Sequence, residues 1–390
     1  MRILHLIKTT SGADWACRQI KQLVQLGLDI HVALPQGPSI ELEKWQSSGA
    51  NLHWVDLDLP IHSPFQFRQR IIAARALVEK VRPDLIHSHF FGTTLMIRYA
   101  LGKTHPIPRI FQVPGPLHLE NKVFRTWELS SSGSADFWIG SSLYIQQLYL
   151  KSGIDSRRIS KSYYGVDIPL STALRSHALH SLLSIPKDQR IIGNVSYIYK
   201  PKYYLGHLCG VKRHEDLIDA IAAVVKQRPE VTGVIIGGAW KGAENYEKKL
   251  RKRADLASGG KIIMTGAIQS KSISRLWPDF DLAIHVPSSE NCGGVVEPLL
   301  AGVPVIASAV GGLPEIIREG DTGRLVQPKD SKKLATVILQ ELDHPAEARA
   351  RAERGKVLVR SQFDVIDTAQ EVRRIYKEIV SLREEKLRFL

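Results

Sequence analysis

Short apolar runs alternate with longer amphipathic segments along the chain, and this alternation occurs twice. In the first half, the apolar runs that read as buried strands occupy residues 3–7, 30–34, 85–87, 109–113 and 137–139. After residue 188, similar runs occupy residues 190–195, 231–236, 261–265, 282–285 and 303–307. Segments between them, such as 67–81 and 214–227, have helical periodicity. A regular alternation of strands and helices predicts parallel sheets with helices on both faces.

Two such series predict an α/β protein with two Rossmann-like, doubly wound domains, and 390 residues are too many for one ordinary domain of this kind. We expect an N-terminal domain over residues 1–168, a linker over 169–188, a second domain over 189–364, and a C-terminal helix over 365–390 that packs back toward the first domain. Open α/β sheets bind ligands at the carboxyl ends of their strands, so the two domains are expected to face a central cleft.

Composition narrows the class of protein. The apolar fraction of 44% and the charged fraction of 24% are typical of a globular chain. The three cysteines are far apart in sequence and predict neither a redox pair nor a zinc framework. The apolar stretch 1–8 is too short for a signal-peptide core, and no segment approaches the roughly 20 apolar residues of a membrane span. We therefore expect a cytoplasmic protein.

The formal net charge is +14, yet aromatic residues are not interleaved with Lys and Arg, so no nucleic-acid partner is expected. An acidic substrate, or an anionic membrane that carries a lipid-linked acceptor, suits a diffuse positive field; a merely basic surface explains the charge equally well. The segment 67–81 carries Arg68, Arg70, Arg75 and Lys80 around an apolar stripe. This pattern suits peripheral contact with the inner face of a membrane, although outer helices of Rossmann domains often share it.

The stretch 288–304 has the strongest chemical signature. A strand ends before it, and Gly293 and Gly294 stand where a helix is expected to begin. Main-chain amides at such a helix start bind anions and hydroxyls, and glycines let a ligand approach closely. Glu290 in the turn and Glu297 one helical turn inside the helix can hold vicinal hydroxyls of two sugars. Taken singly, Glu290 is more simply explained as a helix-capping residue and Glu297 as a solvated surface residue.

This stretch resembles the paired-glutamate motif of the family 4 retaining glycosyltransferases, which have the GT-B fold. Further segments match the family in the same order, at residues 9–13, 82–89, 164–167, 301–307, 311–317 and 323–326. The resemblance implies an enzyme that moves a sugar from a nucleotide-sugar, with UDP- and GDP-sugars favoured, to a hydroxyl of a glycan or lipid-linked glycan. It also implies retention at the anomeric carbon, no cofactor and no essential metal ion.

The resemblance further implies residue roles. Glu290 takes the position that contacts the donor sugar, and Lys212 the position that neutralises the donor diphosphate, where a fixed cation offsets the charge of the departing group. His118 takes a position on the sugar side of the cleft, with a structural role as an even alternative. Gly12 admits the diphosphate or the acceptor to the first loop, or is a plain turn glycine. The implied donor-binding residues are Glu297, Asn291, Cys292, Gly293, Gly294, Val295 and Gly266.

The sequence departs from the family pattern at two places. Six residues separate the two glutamates where the family usually has seven. Tyr197 stands where the family often has an arginine that clamps the diphosphate, and an insertion precedes Lys212. We expect Lys200 or Lys202 to supply the missing charge. The alternative is that the tyrosine-rich insertion stacks on the acceptor.

Other functions leave weaker signals. Asp279-Phe280-Asp281 matches the metal-binding signature of GT-A glycosyltransferases, but it lies where a helix hands over to a strand, which favours a structural junction. No GxGxxG motif follows the first strand, so an oxidoreductase is disfavoured. A nucleotide-sugar 2-epimerase of similar fold and a catalytically silent sugar-nucleotide-binding protein are the alternatives that stay open.

Overall fold

The computed structural model describes residues 1–61, 63–169, 174–203 and 206–388, without the side chains of residues 39–41, 270–271 and 384–388. The chain divides into two compact units. Unit 1 comprises Met1–Ile168 and Gln362–Leu390, and unit 2 comprises Pro169–Ser361. Each unit is built on one parallel sheet, which confirms the predicted α/β class.

Unit 1 holds the first seven strands of the chain. They are β1 (Arg2–Leu6), β2 (Asp29–Leu34), β3 (Asn51–Trp54), β4 (Leu85–Ser88), β5 (Arg109–Val113), β6 (Asp136–Gly140) and β7 (Ile159–Lys161). Its helices up to β7 are α1 (Asp14–Gln25), α2 (Ser39–Gln46), α3 (Phe67–Val81), α4 (Phe91–Leu101), α5 (Leu117–Glu120), α6 (Lys122–Ser130) and α7 (Leu143–Lys151). The strand order is β3-β2-β1-β4-β5-β6-β7, so the order reverses between β1 and β4.

A group of buried charges joins two strands of this sheet to two helices. The guanidinium of Arg98 on α4 pairs with Glu128 at 2.6 Å and with Asp136 at 3.0 Å, and Arg109 pairs with Asp136 at 2.7 Å. All four side chains are almost fully buried. Buried charges are tolerated only when they are paired and hydrogen-bonded, so α4, α6, β5 and β6 are held in one relative position.

Unit 2 holds the remaining strands of the described chain. They are β8 (Arg190–Val195), β9 (Val231–Ile236), β10 (Ile262–Gly266), β11 (Leu282–His285), β12 (Val305–Ser308) and β13 (Arg324–Val326). The helices are α8 (Ala178–Leu183), α9 (His214–Gln227), α10 (Glu244–Ser258), α11 (Ser270–Leu276), α12 (Gly293–Leu300), α13 (Leu313–Ile316), α14 (Ser331–Asp343) and α15 (Pro345–Gln362). The order β10-β9-β8-β11-β12-β13 reverses between β8 and β11.

The two aspartates of the formal metal signature have structural partners. Oδ2 of Asp279 accepts a hydrogen bond from the Leu179 amide at 2.8 Å, at the start of α8, within the segment predicted as linker. Asp281 accepts from the Ile191 amide of β8 and pairs with Arg175, both at 2.8 Å. These contacts agree with a structural junction, because both carboxylates fasten α8 and β8 to the segment before β11.

The last helix, α16 (Val365–Arg388), packs beside α1 in unit 1. Its Tyr376 hydroxyl contacts Nδ1 of His87 and lies 3.4 Å from Nε2 of His5. Nδ1 of His5 lies 2.9 Å from Nε2 of His89, whose Nδ1 lies 2.8 Å from the Tyr164 hydroxyl. The three imidazoles are fully buried, and burial lowers the pKa of His5 to about 3 and that of the other two well below 6.5. All three are therefore neutral at pH 7.

No helix among the described residues combines the length and the apolar character that a bilayer crossing requires.

The neutral histidines predict a pH-dependent stability. In the unfolded chain they gain protons as the pH falls through 6.5, whereas burial keeps them neutral in the fold. Stability is therefore complete above pH 6.5 and falls below it, by up to about 1.4 kcal/mol per pH unit for each histidine. Urea unfolding between pH 7.5 and 5.0 measures the slope. His5→Asn is expected to make the dependence of unfolding free energy on pH shallower by the contribution of one histidine. An unchanged slope would contradict this account.

Candidate active site

The stretch between β11 and α12 lies at the reversal of strand order in unit 2. β11 is apolar and fully buried up to His285, and it lies between β8 and β12. A seven-residue turn follows, and α12 begins at Gly293, as the sequence predicts. In open parallel sheets, the crevice at such a reversal is where ligands bind.

Neighbouring loops hold this turn in place. The Ser288 amide donates to the Val211 carbonyl at 2.8 Å, and the Ser308 hydroxyl donates to the Pro287 carbonyl at 2.7 Å. Gly311 has a φ of +57°, and a Cβ there would stand 1.7 Å from the Glu290 carbonyl oxygen. Glycine is thus needed at position 311 for close approach to the turn.

The structure brings two of the predicted catalytic residues together. Nζ of Lys212 contacts Oε2 of Glu290 in an ion pair, and both side chains are less than one-fifth exposed. Nε2 of His285 lies 3.2 Å from the same carboxylate oxygen, and Oε1 accepts from the Asn291 amide at 3.1 Å. Burial alone would raise the pKa of Glu290, but the Lys212 ammonium and the His285 hydrogen bond lower it well below its usual range. Glu290 is therefore an anion throughout the physiological pH range.

His285 and the polar residues behind it were not predicted as site residues. The Asn194 side-chain amide donates to the Ile284 carbonyl at 2.7 Å and lies 3.3 Å from Nδ1 of His285. An amide nitrogen can only donate, so Nδ1 of His285 accepts and its Nε2–H donates to Glu290. Burial also lowers the pKa of His285, which keeps the ring neutral. The available signal was a histidine at the end of an otherwise apolar strand.

A second histidine continues this network. The Ser196 hydroxyl donates to Oδ1 of Asn194 at 2.6 Å and lies 3.2 Å from Nε2 of His214. His214 is the first residue of α9, two positions after Lys212. Burial first, and the Lys212 charge second, lower its pKa to about 3. The network therefore places uncharged donors and acceptors behind an ion pair.

The other donor-binding candidates lie around the start of α12. Glu297 is exposed on the helix and accepts a hydrogen bond from Nε1 of Trp277 at 3.4 Å. Val295 is buried in the core of the unit. The side chains of Asn291 and Cys292 are buried too, and Sγ of Cys292 lies 3.3 Å from the Gly312 carbonyl. The first-turn amides of α12 lie here too, and anion binding by them stays a prediction.

The remaining donor-binding candidates of unit 2 lie between β8 and α9, with Lys212, and at the end of β10. Tyr197 is 43% exposed and lies edge-on to Trp240. Lys200 is exposed with its Nζ close to Gly242, and Lys202 is half-buried. Gly266 ends β10 with a φ of +79°, and its carbonyl accepts the Gly237 amide at 2.9 Å.

Two candidates belong to unit 1. Gly12 lies in the loop between β1 and α1 with a φ of +68°, a conformation that favours glycine. His118, on α5, lies between the rings of Phe91 and Phe111 at centroid distances of 5.4 and 5.5 Å. Its Nε2 lies 3.4 Å from the Tyr149 hydroxyl, and burial lowers its pKa to about 4. His118 is therefore a neutral hydrogen-bonding group at pH 7.

Comparison with known proteins follows this division into two units. The model of the Glycosyltransferase Family 4 matches residues 15–169, and the model of the Glycosyl transferases group 1 matches residues 199–357. The D-inositol 3-phosphate glycosyltransferase of Mycolicibacterium smegmatis is 26% identical over 300 residues, which are 73% of this chain and 66% of that protein. The protein of the same name from a Nocardioides species is 22% identical over 335 residues, which are 80% of this chain and 70% of that protein.

Solved structures share the fold. HepE from Anabaena, in complex with UDP and glucose, matches with a TM-score of 0.79 and 20% identity over 97% of this chain and 100% of that one. The sucrose-phosphate synthase of Thermosynechococcus elongatus matches with a TM-score of 0.77 and 18% identity over 98% of this chain and 100% of that one. The predicted GT-B architecture, with two Rossmann-like domains, is confirmed.

The contact between β11 and α12 predicts that alanine substitutions at two adjacent glycines differ in their effect on stability. A Cβ on Gly294 would stand 2.1 Å from Nε2 of His285, whose ring is held by Asn194 and Glu290. A Cβ on Gly293 would meet nothing within 4 Å among the described residues. We expect Gly294→Ala to cost about 1–3 kcal/mol of unfolding free energy and Gly293→Ala to cost little, measured by urea denaturation. Equal losses in the two variants would refute this packing.

Proposed function

We propose that this chain, which belongs to the family 4 glycosyltransferases, transfers a sugar from a nucleotide-sugar to a hydroxyl acceptor with retention at the anomeric carbon. The observation that carries the proposal is the Glu290–Lys212 pair at the reversal of strand order, beside the glycine-rich start of α12. A cation and a carboxylate beside the main-chain amides of a helix start can bind a diphosphate and sugar hydroxyls and can stabilise a developing charge.

The proposed reaction exchanges one bond at the anomeric carbon. The bond from that carbon to the diphosphate oxygen breaks, and the acceptor oxygen forms its bond on the same face of the sugar. The acceptor proton passes to the departing phosphate oxygen, which balances the step without an enzymic nucleophile. Lys212 stabilises the charge that grows on the diphosphate, and Glu290 orients the sugar through its hydroxyls. Glu297 is proposed to hold the ribose, and Gly293, Gly294 and neighbouring amides the remaining donor oxygens.

Similar proteins suggest which class of donor and which class of acceptor this chain uses. HepE has also been solved in complex with UDP-glucose, which supports a UDP-sugar as donor. The curated relatives are named for transfer to D-inositol 3-phosphate, an anionic acceptor. A net charge of +14 suits an anionic acceptor, and we propose a glycan or lipid-linked glycan that carries negative charge.

Contact with an anionic membrane at its cytoplasmic face is proposed for the surface around α3. Phe65, just before α3, is 97% exposed, and on α3 itself Ile72 is 59% exposed and Arg68 is exposed. Arg70, by contrast, is engaged with Asp56 at 2.7 Å. Exposed apolar side chains beside a cation are the composition of an interfacial surface. If the amount of protein that co-sediments with vesicles is independent of anionic lipid content and of salt concentration, this contact is excluded.

A donor panel tests the proposed activity. UDP-glucose, UDP-N-acetylglucosamine, GDP-mannose and ADP-glucose are incubated with the protein, with and without acceptor candidates, and free nucleoside diphosphate is measured. We expect a UDP-sugar to give the highest release, acceptor to stimulate it, and EDTA to leave it unchanged. Conversion of the sugar without acceptor would indicate an epimerase, and binding without turnover would indicate a silent binding protein.

Kinetic constants test the assigned roles. We expect Lys212→Ala and Glu290→Ala to lower kcat by about 10²–10³, because each removes a charge that acts in the transition state. Glu297→Ala is expected to raise the KM for the donor by about tenfold with little change in kcat, because ribose contacts bind substrate and transition state alike. Lys332→Ala, an exposed lysine on α14, is the matched control. Full turnover in the Lys212 variant would refute its role.

A further inference from the structure

The chain after β8 continues as a rigid extension of the sheet. The Ser196 amide donates to the Ile236 carbonyl at 2.9 Å, and the Ile198 amide donates to the Gly238 carbonyl at 3.0 Å. The Trp240 amide donates back to the Ile198 carbonyl at 2.9 Å. A Cβ on Gly237 would stand 1.9 Å from the Ser196 carbonyl oxygen, so glycine is required for this approach. The residues beside Ile198 are consequently fixed in position.

Three aromatic rings occupy this extension. Ile198 is fully buried, and by the alternation of an extended chain its two neighbours, Tyr197 and Tyr199, lie on the opposite face. The Trp240 ring lies 4.9 Å from that of Tyr197, at 68°, and 6.0 Å from that of Tyr199. The Lys241 ammonium lies 5.9 Å from the Trp240 ring centroid. We call Tyr197, Tyr199 and Trp240 the aromatic platform; Tyr197, at 43%, is its exposed member.

The aromatic platform adjoins the candidate active site. Burial first, and the charge of the Glu290 carboxylate second, raise the pKa of Tyr199 to about 12. A Cβ on Gly210, two residues before Lys212, would stand 2.4 Å from the Tyr199 carbonyl. The loop that carries Lys212 therefore folds back onto the platform. The platform is thus packed against the loop that supplies the cation of the ion pair.

We propose that Tyr197 stacks against the ring of the sugar that is transferred, with Trp240 and Tyr199 holding it in place. This inference rests on the proposed function, because it takes Glu290 as the group that contacts the same sugar. A pyranose presents a face of C–H bonds that packs on an aromatic face, while its hydroxyls point to polar groups at the edge. The platform supplies the first kind of surface and Glu290, Lys212 and His285 supply the second.

A tyrosine at position 197 is expected to change which part of the nucleotide-sugar the site recognises. The family often has an arginine at this position, which recognises diphosphate, whereas an aromatic ring recognises a sugar face. Affinity is then expected to depend more on the sugar than on the diphosphate. Lys212, together with the exposed Lys200 near Gly242, is left to meet the phosphate charge.

Binding of UDP and of UDP-glucose to Tyr197→Ala tests the stacking. We expect the Kd for UDP-glucose to rise about tenfold, the size of an aromatic stacking contribution, and the Kd for UDP to change less than twofold. Tyr197→Phe keeps the ring and is expected to retain the wild-type Kd for UDP-glucose. Tyr203→Ala, an exposed tyrosine of the same insertion, is the matched control. Calorimetry gives the Kd values, and far-ultraviolet dichroism verifies folding.

Each other outcome overturns the proposal. An equal loss for UDP and UDP-glucose would assign Tyr197 to the nucleoside diphosphate. A loss in Tyr197→Phe as large as in Tyr197→Ala would assign the effect to the hydroxyl. Unchanged affinity in Tyr197→Ala would exclude stacking on the transferred sugar. Failure of the wild-type protein to bind any nucleotide-sugar would refute the proposed function itself, and the stacking proposal would fall with it.

Discussion

The ion pair between Glu290 and Lys212 is the interaction on which the candidate active site of unit 2 depends. Burial of a carboxylate in a turn would by itself favour the protonated form, and the ammonium and the His285 hydrogen bond reverse this preference. The pair joins the loop after β8 to the turn after β11. β8 and β11 are neighbouring strands, and the strand order reverses between them. Sheet topology brings the two charges together, and their mutual neutralisation lets both be partly buried beside a ligand crevice.

Glycines make this compact arrangement possible. Gly294 lets the His285 ring lie against the first turn of α12, and Gly311 lets the turn after β12 reach the main chain of Glu290. A side chain at either position would occupy the space of its neighbour. These glycines therefore shape the turn itself, in addition to the ligand approach that a glycine-rich helix start suggests. Glu290 is held by His285 at the end of β11, by Lys212, and by the loop after β12, where the Gly312 amide donates to the Glu290 carbonyl at 3.3 Å.

Much of the fold and of the site class could be predicted from local patterns. Alternation of apolar runs and helical segments predicts two parallel sheets, since a strand buried on both faces must be apolar throughout. The helix predicted over residues 214–227 has those bounds in the structure. The glycines at the start of α12, together with Glu290 and Glu297, indicate the kind of ligand, because helix-start amides and paired carboxylates suit phosphate and sugar hydroxyls. The family resemblance, now confirmed, rests on the same segments.

Contacts between distant segments were decided by tertiary structure. Lys212 and Glu290 are 78 positions apart, and nothing in their local sequence shows that they meet. Asn194 and His285 are polar residues in otherwise apolar strands, and they meet because the sheet order places β8 beside β11. The sequence showed Tyr197 only as the residue at a position where the family often has an arginine. Its ring contact with Trp240 depends on hydrogen bonds between the segments after β8 and β9. The sequence thus determined the elements and the chemistry available, because periodicity is local. Only the strand order and close packing decided which charges, rings and glycines share one site.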